Sequence, residues 1–148
     1  MQISPKVVDE INHLERRYTR LAQVFAVFVE RARYLVGENS PLKVLKMQVS
    51  ADGSSLDAIF AGIHVRFQLL PSYAADGSVL GRVVCSRQIS GLYKDNDILG
   101  CFTFLGNGNT DFNVDQGSDP IEMEYHAIEI VLHFVQMAIQ KPLPDLVV

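Results

Sequence analysis

Between Val7 and Leu35 an apolar residue returns at alternating steps of four and three: Val7, Ile11, Leu14, Tyr18, Leu21, Phe25, Phe28, Ala32 and Leu35. Those steps follow one side of a helix. Unbroken over four heptads, they predict a single long N-terminal helix that must bury a narrow apolar face. Ser4 is a favourable N-cap, Pro5 suits the first helical position, and Gly37 with Pro41 beyond it stops the run. After Leu21 the segment is apolar off the stripe as well, at Ala22, Val24, Ala26, Val27 and Val29. The second half of the helix is therefore expected to be buried and the first half partly exposed.

From Leu42 the apolar period falls to two, the spacing of strands. Leu42 to Ser50 reads as one strand, and Asp52-Gly53 turns it back on itself. Leu56 to Leu70 reads as a second, closed by Pro71, and Asp76-Gly77 marks the next turn. Val79 to Ser90 and Ile98 to Leu105 read as a third and a fourth. After a loop rich in Asn, Asp and Gly the helical period returns at Ile121, Tyr125, Ile128, Leu132, Val135 and Ile139. Asp119 as N-cap, Pro120 and Glu122 start this helix, and Pro142 ends it. The expected fold is one α+β domain over residues 1–148: a long N-terminal helix, a four-stranded antiparallel meander and a C-terminal helix.

With 48% hydrophobic and 20% charged residues, a chain of 148 has the balance of one globular core. A net charge of −4 and a pI near 5.5 speak against a general nucleic-acid binder, although Arg16, Arg17 and Arg20 cluster on the first helix. No apolar run approaches the roughly 18 residues of a membrane span, and Met1 to Pro5 carries no basic region followed by an apolar core. A cytoplasmic protein is expected. Cys85 and Cys101 are too few for a disulfide framework and are read as two buried thiols. A hairpin symmetric about Tyr93 sets them opposite each other, which keeps a cross-strand redox pair as the alternative.

Pairing odd with odd positions across the hairpins gives one plain core face containing Ile59, Ile63, Val65, Phe67, Val83, Cys85, Ile89, Leu99 and Cys101. The other face then holds Phe60, Val84, Phe102 and Phe104 among His64, Arg66 and Arg82. An apolar centre with a polar rim is the composition of a partner-binding face. The two helical stripes add to it, so a homodimer is expected. Arg87 falls on the core face, where it needs a carboxylate such as Asp57 or a helix Glu, or an anionic ligand.

Asp111, Asn113, Asp115, Asp119 and Glu122 occupy positions one, three, five, nine and twelve of a loop that resembles the EF-hand calcium loop. The resemblance covers twelve residues and departs at the glycine, which stands at position seven (Gly117) instead of six. A capped loop explains the same residues. Glu122, His126, Glu129 and His133 share one helix face, and Glu10 and His13 stand three apart on the first helix; both sets read as solvated ion-pairing faces before metal ligands. No nucleophile elbow or phosphate loop is present. These residues predict no cofactor and point to a non-enzymatic protein-binding module, a small acidic adaptor, chaperone or inhibitor, that uses the mixed sheet face. The alternative is a small-ligand or metal-binding domain, possibly an enzyme, with its pocket between sheet and helix near Arg87, Cys85 and His64.

Overall fold

A computed structural model describes residues 2–89, 97–112 and 121–142. The element order is α1 (Pro5–Ala32), β1 (Lys46–Val49), β2 (Ser55–Phe60), β3 (Ile63–Tyr73), β4 (Val79–Ile89), β5 (Asp97–Phe104) and α2 (Ala127–Gln140). The strands form one antiparallel meander in chain order. The long helix, the antiparallel sheet and the second helix follow in the expected order, with five strands instead of four, but α2 begins at Ala127, after Glu122 has bridged to Asn109 and a turn has followed it.

The additional strand comes from Ala61-Gly62. Both residues take positive φ, 49° and 76°, and Phe60 pairs directly with Ile63, so the expected strand Leu56 to Leu70 is itself a hairpin. Two successive left-handed residues make the tight turn whose twist matches paired strands. Alternation across Ile59, Ala61 and Ile63 hides it, because a small apolar residue in a turn keeps the strand period. The turn also inverts parity: Leu56 and Ala58 of β2 join Val65, Phe67 and Leu69 of β3 in the core. Ile59, which parity had placed inside, pairs with His64 on the opposite face.

The Asp52 turn is as expected. Its Oδ1 accepts hydrogen bonds from the Ser54 N–H (3.0 Å), the Ser54 hydroxyl (2.8 Å) and the Ser50 hydroxyl (2.8 Å). The bonds from Ser54 and then Ser50 hold the carboxyl down to about 2. β1 is shorter than expected, since Leu45 is buried within a loop and pairing begins at Lys46.

Between β4 and β5 the register is one residue away from the odd-with-odd expectation. Val83 pairs with Phe102 and Gly81 with Phe104, and at the irregularity after Cys85 the partner steps from Gly100 to Ile98. Phe102 and Phe104 therefore point into the core and are buried, as a one-residue slip requires. The slip also separates the cysteines: Cys85 is buried, and Cys101, paired with Val84, is exposed. Phe104 lies across Gly81, where an added Cβ would stand 2.3 Å from the ring.

Both helices cover this one face. Phe28 of α1 meets Phe67 of β3 at 6.1 Å between centroids, and Phe67 meets Phe134 of α2 at 5.9 Å. Phe102 and Phe112 complete the cluster around Phe134. Each buried Phe contributes roughly 1.5–3 kcal/mol, and Phe102, expected outside, joins the cluster that holds helices to sheet. α1 is buried at Leu21, Phe25, Phe28, Val29 and Ala32, and a short 3-10 turn through Val36 carries it to Gly37. In α2 the buried positions are Ala127, Ile130, Val131, Phe134 and Ala138, a different face from the stripe of Tyr125, Leu132 and Ile139. No helix of the described residues is long and apolar enough to cross a membrane.

Candidate partner-binding surfaces

Among the described residues no helix lies on the outer face of the sheet. The strands bring His64, Arg66, Arg82 and Val84 together there, while Phe60, packed against the core, and the buried Phe102 and Phe104 face the other way. Arg66 grips Asp57 with two hydrogen bonds, Nε to Oδ1 at 2.9 Å and Nη2 to Oδ2 at 3.2 Å. That bond raises the Arg66 pKa further. Gln68 donates to the Ser54 carbonyl at 3.2 Å. The centre of this face is polar and internally paired, so it lacks the aromatic anchors expected of it.

Arg87 is 2% exposed on the core face. Asp57 is committed to Arg66, and the Arg87 partners come instead from β5 and the end of α2. Nη1 donates to the Ala138 and Lys141 carbonyls, both at 2.9 Å, and Nη2 to the Pro142 carbonyl at 3.1 Å and to Asp97 Oδ2. The Lys141 ammonium reaches Asp97 Oδ1 at 2.5 Å. Burial pushes the Asp97 carboxyl up, but the bonds from Lys141 and Arg87 and their charges outweigh it, and its pKa is lowered. A buried guanidinium thus satisfies carbonyls that the helix leaves open at its C-terminus. The three residues expected around a ligand do not converge: Cys85 and Arg87 face the core and His64 faces out. Burial, with Cys101 a lesser cause, drives the Cys85 pKa upward, so it stays a thiol.

In the acidic loop, Asp111 Oδ1 accepts the Thr103 backbone N–H at 2.7 Å and the Asp111 N–H donates to the Thr103 carbonyl, which extends the edge of β5. Asn113, Asp115 and Asp119 lie outside the described residues. Glu122 donates its backbone N–H to His126 Nδ1 at 2.9 Å, a closed turn ahead of α2. Among the described residues no three His, Cys, Asp or Glu side chains are placed to hold a metal ion. His133 stands edge-on against Phe112 and Phe134, at 5.0 and 5.1 Å.

Apolar surface is exposed on strands and loops, at Leu70, Tyr73, Ile98 and Val44, and on the helices. α2 is apolar at all positions except Glu129, His133, Gln136 and Gln140, yet only one side of it meets the sheet. On one flank of α2 Leu132 is 37% exposed and Ile139 62%, with Ile128 and Val135 half-buried beside them, and Tyr125 in the preceding turn is 75% exposed. At the upper end of this stripe a shallow cleft of about 330 Å³ is lined by Arg31, Tyr34, Glu124, Tyr125 and Ile128. Arg31 bridges it to Glu124 at 3.0 Å.

No family model, no curated protein and no solved structure matches the chain. The Tyr34–Tyr125 cleft was not singled out by the sequence, whereas the stripe of Leu132 and Ile139 was read as surface beyond what one core absorbs. The available signal was the width of the apolar arc: Glu129, His133, Gln136 and Gln140 recur at steps of four and three and make one narrow polar face, which leaves more apolar helix than one sheet face covers.

Proposed function

We propose that the chain is a non-enzymatic protein-binding module, a small acidic adaptor, chaperone or inhibitor, whose partner covers the outer side of α2. The observation that carries this reading is the exposure of Leu132 and Ile139 on one flank of α2, with Tyr125 exposed in the turn just before it. Contiguous apolar surface rimmed by polar groups is what binding sites leave open. Tyr125 and Tyr34, flanking the Arg31–Glu124 pair, supply the aromatic and charged side chains that interfaces concentrate. The paired, polar sheet face is the weaker candidate. A net charge of −4 speaks against nucleic acid as the partner. Two unpaired cysteines, one of them exposed, suit a reducing compartment such as the cytoplasm.

A photo-crosslinking amino acid placed in turn at Leu132, Ile139 and, as a control on the sheet face, Arg82 tests this in the cells that make the protein. Discrete crosslinked protein from Leu132 and Ile139, absent from Arg82, is the expected result. Products from Arg82 alone, or none from the helix positions, would overturn the reading.

A further inference from the structure

We infer that the first four turns of α1 pair antiparallel with the same segment of a second copy of the chain. This rests on α1 and not on the outer side of α2. Burial of α1 begins only at Leu21; Val7 is 46% exposed and Ile11 61%, with Leu14 and Tyr18 half-buried. An open cleft of about 790 Å³ lies between Tyr73 at the end of β3 and the side of the helix that carries Lys6, Asp9, Glu10 and His13. The N-terminal turns therefore overhang the sheet and carry the heptad stripe with them.

The charges beside the stripe select both occupant and direction. Asp9 and Glu10 precede its midpoint, and Arg16 and Arg17 follow it. Among the described residues the side chains of these four make no ion pair or hydrogen bond within the chain. In an antiparallel pair centred between Asn12 and His13, Ile11 packs on the partner's Leu14 and Val7 on the partner's Tyr18, each twice by symmetry. Glu10 then lies across from the partner's Arg17, again twice. A parallel pair in heptad register sets Glu10 against the partner's Glu15 instead, like against like. The segment is thus complementary to its own reverse, and the opposed helix dipoles agree with that direction.

Sedimentation velocity of the full chain tests the pairing. The wild type should be a dimer at low salt and weaken as salt rises. Ile11→Asp should give a monomer that still unfolds cooperatively, with a midpoint lowered only towards that of the dilute wild type, because Ile11 touches no core. Glu10→Arg alone and Arg17→Glu alone should each weaken the dimer by about tenfold, and the double exchange should restore it. A monomeric wild type at 100 µM scale, a dimer that survives Ile11→Asp, a tighter dimer on Glu10→Arg alone, or a double exchange that fails to restore would each overturn the inference. Loss of dimer on Leu132→Glu with Ile11→Asp silent would assign self-association to α2 instead and overturn it as well.

Discussion

At Arg87 a full positive charge is held in the interior by three backbone carbonyls and one carboxylate. Truncation leaves the three carbonyls without the Arg87 donors and Asp97 with Lys141 alone. Arg87→Met should therefore lose about 3 kcal/mol, read from urea unfolding. Arg87→Lys, which cannot span the carbonyls and Asp97 together, should recover only part of that. The lowered pKa of Asp97 gives the same cluster an acid limit. Its folded value lies below the unfolded value near 4, so its stabilisation is present above that pH and drains away as pH falls through the folded value. In urea titrations from pH 6 down to 3, Asp97→Asn should flatten the wild-type decline while starting from a lower plateau. That Arg87 would be buried was legible from its place on an apolar strand face. Its partner was not, because Asp97 and the α2 carbonyls are joined to it only by the packed fold.

Periods of 3.6 and 2 revealed helix, meander and helix because one face of each element is buried, and burial writes a repeat into sequence. The Ala61-Gly62 turn escaped because Ala61 continues the strand alternation and only Gly62 signals a reversal. Ala61 holds φ 49° without the backbone freedom of glycine. Ala61→Asn should consequently raise the urea midpoint, by a stability gain of about 0.5–1 kcal/mol, since Asn tolerates the left-handed region. The β4–β5 register escaped for a different reason: a single irregularity after Cys85 exchanges the two faces of β5, and no residue spacing records it. Its mark is the Gly81–Phe104 contact. Gly81→Ala should destabilise by about 1–3 kcal/mol, and Phe104→Leu in the same chain should cost less than the sum of the single changes, by a double-mutant cycle.

For the molecule as a whole, one sheet face takes both helices and neither helix is fully covered. The site expected on the sheet was half legible: its basic residues share a face, but its aromatics were drawn inward by the slip, and α2 turned a different side to the core than its stripe suggested. On α2 the apolar arc is wider than the face that packs, so the period alone does not say which part of it meets the sheet. The Arg87 contacts also tie β4 to residues more than fifty positions further along. A chain stopped at residue 137 should therefore lose amide protection across β4 and β5 in hydrogen exchange, while the β1–β2–β3 hairpins keep more of theirs. On the ribosome the same linkage acts in time. Arg87 is polymerised roughly 3–10 seconds before the carbonyls that receive it, and through that interval the nascent sheet must carry a charged residue with nowhere dry to put it.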